Sequence, residues 1–499
     1  MNDIAPQRIA LALVSHTNVG KTTLARTLLG RDVGTVRDAP HVTQEAERFT
    51  LIGTAQGDSL ELLDTPGFGD SVRLARRLSQ RGNPLGWFLS EVWDRFRDRA
   101  FWSTQQAVRA ALEHADVVLY LANAAEGPQA AGYVEPEMRV LELIGKPVLV
   151  LLNQMGQPRP PREEQAQVAL WQRQLSSHSA VRAVLPLDAF ARCWVQEIAL
   201  FEAVRKALPD GKQLPFSRLQ AAWRERREAT LAQSMQVLAR RLARAAVDSE
   251  PVAGDGLRGR LRDLGAALGL PGGSEATPKQ AAMAALAARL DADIRSGTDT
   301  LIALHGLGGH ARDEILGRLA GHYAVSERLS EGKAALLGGA VTGALAGLKA
   351  DIATGGLTLG GGLLVGGVLG ALGAAGLARG YNVIRGTERT EVGWTEEVLD
   401  GLAASALLAY LAVAHFGRGR GEWTESEHPA HWQEAVRTVL QERRAAFSSL
   451  WAKRAGASAE ELAEALEAEL AQATRTVLAR LYPSTAAPAG EPAPAPVLT

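Results

Sequence analysis

The chain has 499 residues and near-balanced charge, 54 Lys and Arg against 55 Asp and Glu, so no net field draws it toward nucleic acid or an acidic surface. A single cysteine, Cys193, excludes an internal disulfide framework and suits a reducing compartment. The length is too great for one ordinary hydrophobic core, so about two to four domains are expected.

Asp3 and the lack of a basic segment ahead of an apolar one argue against a cleaved signal peptide at the start. Residues 9–14 are too few to span a membrane and read as a first strand. Further short apolar or β-branched runs fall at 59–63, 117–121, 148–152 and 181–187, with turns or helical patterns between them. That spacing predicts βαβ units around a buried parallel sheet. Residues 71–111 are long for one connection and predict an extended helical segment, with Trp87, Trp93 and Trp102 as packing anchors.

From Pro215 to about Leu329 the pattern turns helical and rich in Ala, Arg and Glu, most clearly over 217–246. Two uncharged stretches follow, 334–348 and 352–378, with small residues four apart at Gly339, Gly343, Gly347 and at Gly362, Gly366, Gly370, Ala374. In water so many glycines make a poor helix, each costing nearly ~1 kcal/mol against alanine. In lipid the same stripes let helix backbones approach closely, so a hydrophobic hairpin meeting a membrane is expected. Residues 401–417 are also uncharged and read as a third membrane segment or a buried core helix. Amphipathic helices return over 429–481, and the Ala- and Pro-rich end from Ser484 cannot bury enough apolar surface to fold.

The chemistry-bearing segments lie early. The first strand runs into Ser15–His16–Thr17–Asn18–Val19–Gly20–Lys21–Thr22–Thr23, a phosphate loop in which Ser15 stands where a glycine is usual. Backbone N–H groups from Asn18 to Thr23 can cradle a phosphate, Lys21 can reach its outer oxygens, and the Thr22 hydroxyl can serve Mg²⁺. Asp64, ending the run LELLD, brings a carboxylate to the same metal, and Gly67 can turn its N–H toward the last phosphate. Thr43, with Thr35 as competitor, is the candidate switch threonine that closes over the metal.

These residues resemble the Era-like group of translation-factor-related P-loop GTPases, over roughly residues 7–208. The resemblance implies an α/β nucleotide domain with a mostly parallel sheet, GTP and Mg²⁺ as ligands, metal contacts from Thr22, Thr43 and Asp64, and catalytic roles for Lys21, Thr43 and Gly67. Asn18 matches the asparagine through which some members bind potassium. Guanine selection in the group rests on an Asn-Lys-x-Asp motif, but here Asn153 is followed by Gln154, Met155 and Gly156. The discriminating carboxylate is therefore absent, Ala189 corresponds to the backbone donor on the next strand, and the adjacent Asp188 can in part replace the lost acid. Phe68 after Gly67 leaves no glutamine to orient water. Slow hydrolysis is expected, relying on the metal, Lys21, backbone donors and a cation, an arginine finger or a second copy of the chain.

The expected organisation is a GTPase domain at 1–208, a helical domain at 209–333, a glycine-rich membrane-associated section at 334–417, C-terminal helices at 418–483 and a tail at 484–499. It resembles bacterial proteins that join an Era-like domain to a long second domain. The expected partners are guanine nucleotide, membrane lipid or a membrane protein, and a homodimer mate, at the inner membrane or its cytoplasmic face, with a cytoplasmic location as the alternative. Nucleic acid is not an expected partner: Gly306–Gly309 superficially matches an RNA-clamping GXXG loop, but its flanks are weakly basic. Dynamin-like membrane remodelling, a ribosome- or RNA-associated Era-like factor and a non-hydrolysing nucleotide-binding scaffold are the rival readings.

Overall fold

A computed structural model describes residues 6–31, 33, 46–79, 82–90, 98–156, 158–189, 193–251, 278–307, 381–385, 390–416 and 429–483. Thr35, Thr43, Trp93, the glycine-rich stretches of 334–378 and the tail from Ser484 lie outside the described residues. The chain divides into two units, one holding residues 1–229, 414–423 and 478–499, the other 230–413 and 424–477.

The first unit is built on six strands: β1 Arg8–Ser15, β2 Glu47–Gly53, β3 Ser59–Asp64, β4 Val117–Asn123, β5 Val148–Asn153 and β6 Val181–Pro186. Their order is β2-β3-β1-β4-β5-β6. All neighbours run parallel except the β2–β3 pair. Side chains alternate across the central strands with period two. Ile9, Leu11, Leu13, Val117, Leu119, Leu121, Leu149 and Leu151 enter one core, while Ala10, Ala12, Val14, Val118, Tyr120, Val150 and Leu152 enter the other. A sheet buried on both faces explains why these strands read as continuous apolar runs.

The first core is covered by α1 Lys21–Leu29, α7 Trp194–Ala207 and the early part of α8 Asp210–Val247. The second is covered by α2 Ser71–Leu78, α3 Pro84–Ser90, α4 Arg99–His114, α5 Val134–Ile144 and α6 Pro161–Leu175. The expected single helical segment over 71–111 is therefore divided, α2 through α4 being separate helices. Trp87 packs against the core as an anchor. Strand β2 was not expected. It is an edge strand with only Leu51 buried, so it has no apolar run to betray it.

The second unit contains α8 from Thr230 onward, α9 Pro278–Leu304, α10 Glu396–Ala414 as far as Val413, α11 Ala430–Glu442, α12 Arg444–Lys453 and α13 Ala459–Leu481 as far as Val477. It also holds a small antiparallel sheet of β7 Ser249–Pro251, β8 Tyr381–Arg385 and β9 Thr390–Trp394, in the order β7-β9-β8. These strands are missing from the helical expectation because each is at most five residues long, too short for a period to declare itself. Arg289 on α9 clasps Asp248 at 2.9 Å and Glu250 at 2.7 Å, and Trp451 donates its indole N–H to Asp400 at 2.8 Å.

Helix α10 covers most of the apolar stretch at 401–417. It is the one described helix long and apolar enough to cross a membrane, yet 72% of that window is packed inside the protein. Gly306 ends α9 in the left-handed region at φ 66°, and its N–H bonds the Ala303 carbonyl. It acts as a helix-stopping glycine, the local need that explains the residue without an RNA clamp.

Candidate functional site

The site forms where the C-terminal ends of β1, β3, β5 and β6 meet the start of α1. The loop after β1 turns through two left-handed residues, Asn18 at φ 63° and Gly20 at φ 95°, before α1 begins at Lys21. A Cβ on Gly20 would lie 2.8 Å from the Asn153 amide nitrogen, so conformation and space both demand glycine there. The loop thereby presents its backbone at a helix N-terminus, the arrangement that favours a phosphate anion.

Lys21 is buried, and its ammonium donates to the Ser15 hydroxyl at 3.0 Å. The serine that replaces the usual glycine thus holds the lysine over the loop. Burial pulls the Lys21 pKa below its ordinary value, with the charges of Asp64 and Glu137 opposing the shift. Gly67 is just as close: a Cβ there would stand 3.2 Å from the Lys21 Nζ and 3.0 Å from the Thr17 Cα. Thr23 is buried in the first turn of α1.

Thr22 donates its hydroxyl to Asp64 Oδ2 at 2.6 Å, joining the start of α1 to the end of β3. The other oxygen, Oδ1, is buried and has no hydrogen-bond partner among the described residues. Burial pushes the Asp64 pKa from 3.8 up to about 6, against the Thr22 hydrogen bond and the Lys21 charge. An orphaned carboxylate oxygen beside a hydroxyl is a hard-oxygen donor set, which fits Mg²⁺. The described residues contain no cluster of three or more His, Cys, Asp or Glu able to cage a metal.

The segment after Asp64 is tied down from three sides. Thr65 donates to the Leu13 carbonyl at 2.6 Å, Phe68 N–H to the Ser15 carbonyl at 2.9 Å, and Ser103 to the Gly67 carbonyl at 2.9 Å. Phe68 is fully buried, so its side chain belongs to the core. Beneath the loop lies a cluster not foreseen from the sequence. His16 Nδ1 is 2.7 Å from Glu137, Tyr120 donates to the same carboxyl at 2.6 Å, and Tyr133 stacks on His16 at 4.5 Å. Burial raises the pKa of the fully enclosed Glu137, opposed by His16 and Tyr120. One glutamate among three on an amphipathic helix carried no signal of this.

At the other end Asn153, fully buried, donates to the Val19 carbonyl at 2.6 Å and accepts from Ala189 N–H at 2.7 Å. One side chain therefore couples the phosphate loop to the loop after β6. Gln154, left-handed at φ 57°, reaches the Asn18 carbonyl at 3.4 Å. Past it lies a cleft lined by Gly156, Arg159, Glu164, Asp188, Gln196 and Tyr482. Tyr482, whose hydroxyl is 2.6 Å from His415 Nε2, is separated from the other lining residues by most of the chain, so no motif could assign it.

Asn18, Val19, Gly20, Lys21, Thr22, Thr23, Asp64, Gly67, Asn153 and Ala189 thus belong to one region of the first unit, while Thr43 lies outside the described residues. A strand that ends in a phosphate loop, beside a second strand whose terminal Asp64 accepts from the Thr22 hydroxyl, defines a P-loop GTPase domain of the Era and Der type. Residues 10–154 match the family described as 50S ribosome-binding GTPase. Residues 173–482, well over half of the chain, match the family described as domain of unknown function (DUF3482), and the chain belongs to that family.

Among curated relatives, GTPase Der of Deinococcus deserti is 28% identical over 149 residues, which is 30% of this chain and 27% of the relative. GTPase Der of Bacillus thuringiensis is 26% identical over 150 residues, again 30% and 27%. The chain thus spans about a quarter of the length of the curated relatives it matches. Among solved structures, Era in complex with MgGDPNP and 16S ribosomal RNA nucleotides is 20% identical with a TM-score of 0.31, over 41% of this chain and 58% of that one. A variant of Aquifex aeolicus Era bound to GDP·AlF4⁻ is 21% identical with a TM-score of 0.31, over 46% and 68%.

Proposed function

We propose that the protein is a slow, Mg²⁺-dependent GTPase whose nucleotide state acts on a membrane-associated helical region. The observation that carries the nucleotide half is the Thr22–Asp64 contact with its orphaned carboxylate oxygen, set beside a buried Lys21. Thr22 and Asp64 hold the metal, which when bound neutralises phosphate charge. Lys21 transfers its hydrogen bond from Ser15 to the outer phosphates, and the backbone from Asn18 to Thr23 encloses them. Gly67 offers its N–H to the terminal phosphate. Phe68, packed in the core, cannot orient water, which is the reason for slow turnover.

The membrane half is motivated by the uncharged glycine-rich stretches of 334–378 and by the apolar helix α10. Thr43 is proposed as the closing switch residue, and a second copy of the chain as a partner that can complete the site. Nucleic acid is the less favoured partner on the balanced charge, although the Era structure named above holds ribosomal RNA.

The test is calorimetric titration of nucleotide-stripped full-length protein with GTP and ATP, with and without Mg²⁺, followed by fractionation between cytosol and carbonate-washed membranes. Saturable Mg²⁺-dependent heat with GTP and nucleotide-dependent membrane retention are expected. A flat titration with both nucleotides removes the proposal, and turnover on the order of 1 s⁻¹ or faster in isolated monomer removes its slow-enzyme element.

A further inference from the structure

Glu137 is a fully buried acid set beneath a loop shaped for an anion. A carboxylate that served only to fasten α5 to the sheet would need the Tyr120 hydroxyl of β4 alone, which Oε2 accepts at 2.6 Å. Its other oxygen reaches into the phosphate loop instead, where His16 Nδ1 lies 2.7 Å from Oε1. The His16 ring is stacked on Tyr133 with 21° between the planes, so a packed face and a bonded edge together fix its orientation.

From His16 the restraint runs along the loop to the lysine. The Ser15 hydroxyl donates to the His16 carbonyl and accepts from Lys21 Nζ at 3.0 Å, so its single proton and one lone pair are both committed. His16 also pairs with Phe68 in an isolated parallel bridge, and the Phe68 N–H bonds the Ser15 carbonyl at 2.9 Å. On the other side stands Thr17. A Cβ on Gly67 would meet the Thr17 Cα at 3.0 Å and Lys21 Nζ at 3.2 Å. Residues 15–17 therefore wall the corner in which the Lys21 ammonium and Gly67 face each other. A triphosphate brings more charge to that ammonium than a diphosphate does, and so depends more on where the ammonium is held.

We infer that Glu137 is a positioning residue which, through His16, holds residues 15–17 and with them Lys21 in the arrangement that favours a triphosphate over a diphosphate. The inference rests on the nucleotide-binding reading above and names the residues that set its preference between the two nucleotide states. The surrounding charges agree with this role. Burial pushes the Glu137 pKa up, and His16 opposes that rise ahead of Tyr120. The Glu137 charge in turn opposes the fall of the Lys21 pKa. His16 thus compensates an acid that, left alone beneath the phosphates, would repel them.

The experiment is equilibrium binding of GDP and a non-hydrolysable GTP analogue to the full-length protein in Mg²⁺, with His16→Ala, His16→Asn, Glu137→Gln and the double variant of His16→Ala with Glu137→Gln. His16→Ala is expected to lose about tenfold in affinity for the triphosphate and no more than about twofold for GDP, the scale of one hydrogen bond to a charged group. His16→Asn sets an amide N–H in the place of Nδ1 and is expected to recover the triphosphate affinity to within about threefold of the unaltered protein. Glu137→Gln keeps the volume and an acceptor for Tyr120, and is expected to weaken triphosphate binding about threefold. In the double variant the loss is expected to match that of His16→Ala alone, because the acid acts through the ring.

A merely structural role would weaken both nucleotides alike, so an unchanged preference between them in His16→Ala overturns the inference. Losses that multiply in the double variant overturn it too, as does a His16→Asn no better than His16→Ala. The His16 side chain is 29% exposed, so its two variants carry the test even where Glu137→Gln fails to fold. Failure of the unaltered protein to bind either nucleotide removes the nucleotide-binding reading itself, a result distinct from these.

Discussion

The two ends of the nucleotide site are built on different physical terms. The phosphate end is mostly backbone: a left-handed Asn18 and Gly20, the N-terminus of α1, and Gly67 pressed against Lys21. Its conformations admit few substitutions, so its residues look familiar. The other end is built on side chains: buried Asn153 ties the phosphate loop to the loop after β6. There the β5 loop carries Gly156, and Asp188 from the β6 loop accepts from the Met155 N–H. Backbone recognition fixes a motif in place, whereas side-chain recognition fixes only a position in space.

The largest expected effect isolates the phosphate end. Lys21→Ala is expected to lower GTP turnover on the order of 10²–10³-fold, as loss of one preorganised donor does, while the relative affinities for GTP and inosine triphosphate stay as they were. Single-turnover kinetics with both nucleotides checks it. A change in base ranking would show that the two ends do not act separately.

Next comes pH. Burial raises the Asp64 pKa to about 6, against an ordinary 3.8. The folded chain then binds more protons than the unfolded one between these values. The stability this group contributes is fully present at low pH and is lost as pH rises through about 6. Metal affinity runs the opposite way, because Mg²⁺ requires the anion. Apparent Mg²⁺ affinity in the presence of GTP is expected to fall by up to about tenfold per pH unit below about 6. Titrations from pH 5 to 8 test this, and Asp64→Asn should remove the slope along with most of the binding.

The smallest effect concerns Asn18. If its side chain helps hold a monovalent cation, turnover in potassium should exceed turnover in sodium by a few-fold at least, on the order of the 1 kcal/mol a single added charge contact contributes. Equal rates would remove the cation from the phosphate end.

Much of this division could be read from the residues. The central strands stand out as apolar runs because helices bury both faces of the sheet, and Thr22, Lys21 and Asp64 stand out because their chemistry needs fixed spacing. Strand β2 does not, since an exposed edge has no hydrophobic pattern to show. The Glu137–His16–Tyr120 cluster is invisible for another reason: Tyr120 reads as one more apolar strand residue, and its partner sits on a helix with other glutamates. Tyr482 reaches the cleft past Gln154 from far along the chain, a juxtaposition only tertiary structure creates. Asp188 falls between, noticeable as an acid beside Ala189 but without a location until the β5–β6 pairing is known.

Helix α8 has a practical consequence for taking the protein apart. Phe216 and Trp223 pack edge-on against Phe201 of α7 at 5.9 and 5.1 Å, and Glu197 receives both the Trp223 indole and the Arg227 guanidinium. Dissection that severs the polypeptide ahead of these aromatics would leave a greasy flank open to solvent and a carboxylate without its cation. An autonomous nucleotide-binding fragment must therefore carry the opening turns of this helix with it.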